Sequence, residues 1–172
     1  DEVVERLGGK VVRTKLGKTH EALKKIGNVI LAGEPWKIID PDWGLWVDGI
    51  YQAAVISKIL VETGLKVSEL FKDIPSYPQD RFSFRVPEEL KNEITARIHN
   101  KMRTVFPNYE SEWDFDGLRL NMPDKSWVLV RASGTEAKIR GYCEASNKKR
   151  LKEISEKLRK IMVKEISKYR VK

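Results

Sequence analysis

The sequence predicts two small domains of different class: an incomplete three-layer α/β/α domain, followed by a two-layer α+β domain with a mainly antiparallel sheet and two helices. In the first part, short apolar strands alternate with helices, a pattern typical of a parallel α/β layer. In the second part, a strand and a helix precede four strands and a final helix. Pro75 and Pro78 lie between the two parts and indicate a linker. The predicted limits are residues 1–72, a linker at 73–81, and residues 82–172.

The first domain is predicted to contain helices and strands in alternation. Asp48 is expected to cap the longest helix and Gly64 to end it. Because a parallel strand needs neighbours in its sheet, and no strand precedes the opening helix, we expect the chain to begin inside a domain. The predicted elements are helix 1–7, strand 10–13, helix 19–26, strand 28–32, helix 49–62 and a helical turn from 68 to 71.

The second domain is predicted to group its helices against a mainly antiparallel sheet. Pro87 suits the first turn of a helix, and Glu88 and Glu89 favour the same end of the helix dipole. The last segment has apolar residues at steps of three and four, which predicts one amphipathic helix. The predicted elements are strand 82–86, helix 87–105, strands 112–115, 117–122, 126–131 and 138–145, and helix 148–172.

The net charge of +8 comes entirely from the last predicted helix. Residues 148–172 hold eleven Lys or Arg and three Glu, so the first 147 residues balance at 22 basic and 22 acidic side chains. A basic helix face can bind nucleic acid or an anionic membrane surface, or it can be a solvated face rich in Lys and Glu. The tryptophans do not interleave with this basic run, as stacking platforms for bases would. A nucleic-acid-binding module is therefore kept only as the alternative function.

Composition bounds the class of protein. Apolar residues make up 41% of the 172 residues and charged residues 34%, so the chain can bury a core. No apolar run approaches the roughly 20 residues of a membrane span, and no signal peptide opens the chain. Cys143 is the single cysteine, which excludes an intramolecular disulfide, and with only His20 and His99 beside it a zinc site is disfavoured. We expect a cytoplasmic protein without membrane contact.

The sharpest functional signal follows the predicted strand 126–131. Arg131 carries permanently charged donors that can hold two phosphate oxygens at once. Ser133 and Thr135 add hydroxyl donors, and Gly134 lets backbone N–H groups approach an anion closely. Arg140 can return to the same anion from the next strand. The segment suits a phosphate-binding loop, although Ser-Gly-Thr also suits an ordinary hairpin turn.

A second signal lies where the predicted strand 28–32 runs into a loop. Glu34 can accept hydrogen bonds from two sugar hydroxyls, Trp36 can stack on a sugar ring, and Lys37 can meet a phosphate. A carboxylate at the C-terminal edge of a parallel strand is where α/β sheets place ligand contacts. The alternative is a loop in which Glu34 pairs with Lys37 and Trp36 covers the core.

Two further patterns are set aside as sites. Asp40, Asp42 and Asp48 form an acidic cluster, but Asp48 is better used as a helix cap, and the Asp-Pro-Asp spacing does not form the oxygen cage of a calcium loop. Ser133 has no His or Asp near it in the sequence, so a nucleophilic triad lacks support. We therefore expect no metal site in this chain.

Several segments, in order, resemble the α-D-phosphohexomutase family (phosphoglucomutase, phosphomannomutase and phosphoglucosamine mutase). Arg-Ala-Ser-Gly-Thr-Glu at 131–136 resembles the phosphate-binding loop of that family's C-terminal domain. Other segments resemble its third domain and the linker that leaves it, so the resemblance covers essentially the whole chain. They are Val-Val-Arg-Thr-Lys-Leu-Gly at 11–17, Ala-Gly-Glu at 32–34, Asp-Gly-Ile-Tyr-Gln-Ala-Ala at 48–54, Leu-Lys-Val-Ser-Glu-Leu at 65–70 and Ile-Pro-Ser-Tyr-Pro at 74–78.

The resemblance implies a four-domain enzyme that interconverts 1-phosphate and 6-phosphate sugars. A phosphoserine in the first domain would donate its phosphoryl group to the sugar phosphate, and the resulting bisphosphate intermediate would turn over and return a phosphate to the serine. An aspartate loop in the second domain would hold Mg²⁺, and a sugar bisphosphate would act as activator. Neither loop occurs in this sequence. It resembles the later part of domain three plus domain four, and we expect it to carry no catalytic residue and to be inactive alone.

The resemblance also implies residue roles. Arg131, Ser133, Gly134 and Thr135 would anchor whichever phosphate is not reacting, and Glu34 would accept sugar hydroxyls. We expect the loop and Glu34 to face each other across a shared opening. The implied partners are a phosphosugar and the N-terminal domains of the same enzyme.

Two departures from the family pattern leave the sugar open. The family usually has a small residue, Ser, Gly and His after its Gly-Glu pair, whereas this chain has Pro35, Trp36, Lys37 and Ile38. Ala137 replaces the proline that follows Thr-Glu, which loosens the exit of the loop and removes no phosphate donor. The substrate therefore stays open among hexose, aminohexose and pentose phosphates.

Overall fold

The structure is a computed structural model that describes residues 1–34 and 37–169, and the chain divides into two compact units, Asp1–Pro75 and Ser76–Lys172. The first unit contains α1 (Glu2–Arg6), α2 (Thr19–Leu23), β1 (Ala32–Glu34), β2 (Lys37–Ile39), α3 (Gly49–Thr63) and α4 (Val67–Leu70). The second contains β3 (Gln79–Arg85), a 3₁₀ turn (Glu88–Leu90), α5 (Lys91–Val105), β4 (Ser111–Trp113), β5 (Leu118–Asn121), β6 (Trp127–Ala132), β7 (Lys138–Glu144) and α6 (Lys148–Ser167).

Both predicted ends of α3 are confirmed. The Asp48 side chain accepts hydrogen bonds from the backbone N–H groups of Ile50 and Tyr51 at 3.0 and 2.9 Å, which satisfies two donors that a helix start leaves unpaired. Gly64 adopts a left-handed conformation with φ 65° and donates its N–H to the carbonyl of Leu60. Glycine tolerates this φ because it has no Cβ, so the helix ends there.

The prediction of parallel strands in the first unit is wrong for the described residues. β1 and β2 pair antiparallel as a hairpin, with Glu34 opposite Lys37 and Ala32 opposite Ile39. No strand forms at residues 10–13, and the strand predicted at 28–32 begins only at Ala32. A strand forms only where a second backbone completes its hydrogen bonds, and residues 10–13 have none beside them among residues 1–34 and 37–75.

The first unit buries few side chains. Among its described residues, only Thr19 and Ile39 are buried, and α3 buries none although much of its sequence is apolar. Ile50 is 87% exposed and Val61 83% exposed, and Ile56 and Ile59 are also exposed on this helix. Exposed apolar side chains on more than one side of a helix are typical of a helix that other elements cover.

The second unit is a five-stranded sheet in the order β3-β7-β6-β5-β4, with every neighbouring pair antiparallel. The predicted α+β architecture and both predicted helices of this part are therefore confirmed. The second helix was predicted to run to residue 172 but ends at Ser167, with Lys168 and Tyr169 in a turn, and residues 170–172 lie outside the described residues. β3 begins at Gln79, inside the stretch predicted as a linker, because Gln79 pairs with Glu144 of β7.

The hydrophobic core of the second unit lies between one face of the sheet and the two helices. Alternate residues of the strands point into it, and α5 and α6 contribute apolar side chains at three- and four-residue steps. Its fully buried members include Ile94, Ile98, Met102, Leu118, Leu120, Val128, Val130, Ile139, Cys143, Ile154, Leu158 and Met162. Burial raises the pKa of the Cys143 thiol to about 12, so this side chain serves as a small apolar residue.

The sheet face opposite the helices carries charged and aromatic side chains. Arg131 of β6 and Arg140 of β7 are direct cross-strand partners and therefore lie on this face together. Like charges in directly opposite positions destabilise a sheet unless other groups compensate for them. Arg81, Trp113, Arg119, Trp127 and Tyr142 occupy other positions of the same face.

We expect Gly141→Ala to lower the free energy of unfolding of the second unit by about 1–3 kcal/mol, because overpacking a dense core forces its neighbours to move. A Cβ at this position would lie 2.6 Å from the Phe82 ring and 3.0 Å from the Met162 sulfur. Urea denaturation measures the change. Gly134→Ala is the matched control, since its Cβ would meet nothing within 4 Å. Equal stability of the two variants would contradict the prediction.

Candidate functional site

The loop between β6 and β7 is held at both ends by backbone hydrogen bonds. The Ser133 N–H donates to the Lys138 carbonyl at 2.9 Å, and the Lys138 N–H donates to the Glu136 carbonyl at 2.7 Å. Ser133 is buried, with 2% of its surface exposed, whereas Gly134 and Thr135 are exposed. The loop therefore presents its central residues to solvent from a fixed base.

Lys91 at the start of α5 organises this loop, and sequence reasoning missed it. Its side chain is 9% exposed, and its ammonium group donates to the carbonyls of Ser133 at 2.8 Å and Glu136 at 3.3 Å and to the Glu88 carboxylate at 2.5 Å. In a trans peptide the N–H points opposite to the C=O. The Gly134 N–H therefore points away from Lys91, which leaves a backbone donor for an anion on the other side. A lysine two residues after Glu89 at a helix start gave no sequence signal for this contact.

Arg131 lies in β6 with its guanidinium mostly buried, at 13% exposure of the side chain. Its Nη1 donates to the Asp116 carboxylate at 2.8 Å. Its Nε is buried and has no hydrogen-bond partner among the residues that the structure describes. A buried donor without an acceptor costs free energy, so an anion that reached this edge of the guanidinium would relieve that cost.

Arg140 also has a carboxylate partner in the loop. It forms an ion pair with Glu136, which also pairs with Lys138 at 2.6 Å. These two cations lower the pKa of Glu136, Lys138 having the larger effect, and Glu136 raises the pKa of Arg140. The structure therefore brings Arg131 and Arg140 to facing positions, as the loop hypothesis requires, and gives each guanidinium a carboxylate.

An open pocket of about 320 Å³ lies beside Arg140 on the same sheet face. Its lining carries more basic than acidic side chains. The lining residues are Arg81, Phe82, Ser83, Glu136, Lys138, Arg140 and Tyr142. The space next to the loop thus suits a group with negative charge.

In the first unit, Glu34 is bound by three donors of its own chain. Its Oε1 accepts from the Gly17 N–H and the Thr19 hydroxyl at 3.2 Å each, and its Oε2 lies 3.1 Å from the Lys37 ammonium group. These contacts, Lys37 first, lower the pKa of Glu34, so it is an ionised acceptor at neutral pH. The alternative pairing of Glu34 with Lys37 is therefore present, and Trp36 lies outside the described residues.

Gly17 and Thr19 were not predicted as site residues. Gly17 has φ 76°, a conformation that glycine adopts without strain, and this turn directs its N–H to Glu34. Thr19 is 5% exposed, and its hydroxyl also lies 3.3 Å from that of Thr14. The expected approach of Glu34 to the loop at 131–135 stays a prediction.

The acidic cluster of the first unit has structural partners. Asp48 caps α3, and the Tyr51 hydroxyl donates to Asp40 at 2.6 Å. Residues 1–34 and 37–169 contain no group of three or more His, Cys, Asp or Glu side chains placed to hold a metal ion. In the same residues, no helix has both the length and the apolar character for crossing a membrane.

Comparison with known domain families matches both parts of the chain. Residues 1–77 match the family described as phosphoglucomutase/phosphomannomutase, alpha/beta/alpha domain III, and residues 83–161 match the family described as phosphoglucomutase/phosphomannomutase, C-terminal domain. The chain belongs to the phosphohexomutase family. The family resemblance drawn from the sequence is therefore confirmed, and so is the predicted fold class.

Curated relatives match almost the whole chain. A phosphopentomutase of Thermococcus kodakarensis is 38% identical over 157 residues, which are 91% of this chain and 34% of that protein. A probable phosphoglucosamine mutase of Methanopyrus kandleri is 40% identical over 159 residues, which are 90% of this chain and 34% of that protein. The chain thus spans about a third of the length of these relatives.

A solved structure shares the fold. The phosphoglucomutase/phosphomannomutase family protein of Burkholderia thailandensis aligns with a TM-score of 0.65 and 23% sequence identity, covering 85% of this chain and 30% of that one. At this identity the likeness shows the fold. The loop at 131–137 lies within residues 83–161, which match the C-terminal domain of the family.

We expect the second unit to lose stability as the pH falls below about 6.5, the usual pKa of histidine. His99 is half-buried on α5, its Nε2 lies 3.0 Å from the Val130 carbonyl, and burial lowers its pKa. A carbonyl only accepts, so Nε2 carries the proton of the neutral ring. The folded state then binds fewer protons than the unfolded state between the two pKa values, so stability is complete above the unfolded pKa and declines below it.

Urea denaturation at pH 7.5 and 5.5 measures this effect, in a window above the titration of the carboxylates. His99→Gln is expected to reduce the pH dependence because it removes the titrating ring, and His20→Gln in the first unit is the control. If the wild type and His99→Gln lost the same stability between the two pH values, His99 would not be the responsible group.

Proposed function

We propose that this chain is the sugar- and phosphate-binding part of a phosphosugar mutase, an intramolecular phosphotransferase that interconverts 1-phosphate and 6-phosphate sugars through a bisphosphate intermediate. The observation that carries the proposal is the loop at 133–137. The buried Lys91 fixes the base of this loop. Arg131 lies beside its start, and the Nε of Arg131 has no hydrogen-bond partner among the described residues. Membership of the phosphohexomutase family supports it.

The loop would anchor the phosphate that is not reacting. Arg131 and Arg140 supply charge from neighbouring strands, Thr135 an exposed hydroxyl, and Gly134 a backbone N–H that points away from Lys91. Ser133 is buried, so its contribution would come from its place at the base of the loop. Fixed donors of this kind neutralise and position a phosphate, which is the main contribution of proteins to phosphoryl transfer.

The first unit would bind the sugar. Glu34 is ionised and each carboxylate oxygen can accept more than one hydrogen bond, so its Oε2 can serve a sugar hydroxyl beside Lys37. Lys37 would contribute charge near the phosphate, and Trp36 would stack on the ring. One curated relative is named a phosphopentomutase and another a probable phosphoglucosamine mutase, so aminohexose phosphates and, with a 5-phosphate in place of the 6-phosphate, pentose phosphates are the first candidates to test.

The metal and the phosphoryl donor would come from other residues. The described residues do not fit a Mg²⁺ site, and we assign no step through a metal to this chain. A phosphoserine, the Mg²⁺ loop and the activation by a sugar bisphosphate would belong to the two thirds of the relatives that this chain does not span. The chain's own residues would bind, orient and neutralise the substrate, and we propose that the enzyme acts in the cytoplasm.

The exposed apolar side chains of α3 support a larger assembly. Ile50 and Val61 are more than four-fifths exposed. Monomeric proteins rarely leave a large contiguous apolar patch exposed to solvent. We propose that further domains of the same mutase, corresponding to the remainder of the relatives, cover this face. These domains are the expected protein partners.

The ion pairs of the basic helix α6 make nucleic-acid binding less favourable than its charge count alone suggests. Several of its cations are paired on the helix itself, Lys157 with Glu153, Lys152 with Glu156, and Lys168 with Glu165. Arg159 is directed to Asp80 of β3 rather than to solvent. Pairs of this spacing are typical of a solvated helix, so nucleic-acid binding stays the less supported alternative.

We expect Arg131→Ala to weaken phosphate binding about tenfold or more, because hydrogen bonds to charged groups contribute about 1.5–3 kcal/mol. The measurement is an NMR titration of the ¹⁵N-labelled 172-residue chain with glucose 1-phosphate and ribose 5-phosphate. Arg97→Ala on the exposed side of α5 is the control, since it removes the same charge away from the loop. If both variants bound alike, Arg131 would not be the anchor.

We expect the purified chain to show no mutase turnover by itself, because the residues proposed for this site bind substrate and none of them is a phosphoryl donor. A coupled assay with glucose 1-phosphate, glucose 1,6-bisphosphate and Mg²⁺ measures this, and a full-length family mutase serves as positive control. Turnover well above the background of the assay would refute the assignment of this chain to binding alone.

A further inference from the structure

The turn between β4 and β5 brings a carboxylate to the proposed anchor. Asp116 lies in this turn, and its Oδ2 accepts a hydrogen bond from Arg131 Nη1 at 2.8 Å. The side chains are 26% and 13% exposed, so the pair is largely shielded from solvent. A contact of this kind holds a guanidinium in one orientation more firmly than a surface ion pair does.

The hairpin that carries Asp116 is braced against the rest of the sheet. The Arg119 guanidinium of β5 lies between two indole rings, 4.4 Å from that of Trp113 in β4 and 4.1 Å from that of Trp127 in β6. Arg103 of α5 donates to both carboxylate oxygens of Glu112 at 3.0 and 3.1 Å. The stacked rings and the paired hydrogen bonds fix the hairpin to the strand and the helix beside it.

Gly117 then brings the turn into contact with the anchor strand. It has φ 87°, and a Cβ at this position would lie 2.4 Å from the Val130 carbonyl oxygen and 2.6 Å from the Arg131 Cβ. His99 contacts the same carbonyl from α5. Only glycine fits both this conformation and this distance, so the approach of Asp116 to Arg131 is built into the backbone.

We propose that Asp116 is a positioning residue for the phosphate anchor: by holding Nη1 of Arg131, it turns the remaining edge of the guanidinium, with its unpaired Nε, toward the anion. This inference rests on the proposed function. A guanidinium binds phosphate best through two parallel N–H donors, and fixing it beforehand removes the ordering cost that a free arginine pays on binding.

The carboxylate has a second, opposing effect on affinity. Its negative charge repels a phosphate, so removing the charge alone strengthens binding, whereas removing the hydrogen bond weakens it. Asparagine at this position keeps an acceptor oxygen without the charge, and alanine has neither. A comparison of these two variants therefore measures positioning at constant charge.

The experiment titrates inorganic phosphate and glucose 1-phosphate into the 172-residue chain carrying Asp116→Asn or Asp116→Ala. We expect Asp116→Asn to bind at least as tightly as the wild type and Asp116→Ala to bind about two- to tenfold more weakly than Asp116→Asn, the range that corresponds to ordering one long side chain. Asp114→Ala is the control, because it removes an exposed carboxylate from the same turn. Circular dichroism and the melting temperature show that each variant is folded.

The outcomes separate the inference from the function on which it rests. If the wild type binds phosphate and the Asp116→Asn and Asp116→Ala variants bind equally, the positioning role is refuted and the phosphate site stands. If the folded wild type binds no phosphate, the site fails and the positioning role fails with it. The Arg131 Nε–H signal gives a second readout. Positioning by Asp116 requires this signal to broaden in a folded Asp116→Ala variant. If that variant binds phosphate as tightly as Asp116→Asn and keeps a slowly exchanging Nε–H signal, Asp116 does not position Arg131.

Discussion

A buried ammonium group determines the geometry of the β6–β7 loop. Lys91 loses most of its hydration in the folded chain, and a buried charge is tolerated only when polar groups surround it. Glu88 and the carbonyls of Ser133 and Glu136 provide that surrounding. Because Lys91 is also the first residue of α5, the loop, the start of the helix and the core beneath it are constrained together, and the orientation of the loop peptides follows from that constraint.

The two units differ in how completely they bury their apolar residues. The second unit has a continuous core between its sheet and two helices, which is sufficient for a domain of its size. In the described residues of the first unit, α3 has no buried side chain despite residues such as Ile50 and Val61. The chain spans about a third of the length of its relatives. In our proposal, further domains of the same mutase cover the apolar surface of α3.

Local signals in the sequence predicted local structure well and distant pairing less well. Asp48 sets the start of α3 with its side chain and Gly64 sets the end with its backbone conformation, both through local contacts, so both ends could be predicted. Whether residues 10–13 form a strand depends on a partner strand elsewhere, which the alternation of strands and helices along the sequence cannot identify. No strand forms there, and the two strands that do form, β1 and β2, pair antiparallel rather than parallel. The loop residues were recognisable by type, but Lys91 and Asp116 act across 42 and 15 positions of the chain, and no spacing indicates such contacts.

The facing arginines of β6 and β7 have an electrostatic consequence for the loop between them. Each already has an internal anion, Asp116 for Arg131 and Glu136 for Arg140, but Glu136 also pairs with Lys138, so the positive charge is only partly balanced. A dianion that docks there would meet a partly compensated positive field, with Asp116 still holding Nη1 of Arg131. The carboxylates that stay beside the guanidinium groups would limit how tightly the dianion is held, which suits a ligand that, in the proposed function, has to leave and rebind in the opposite sense.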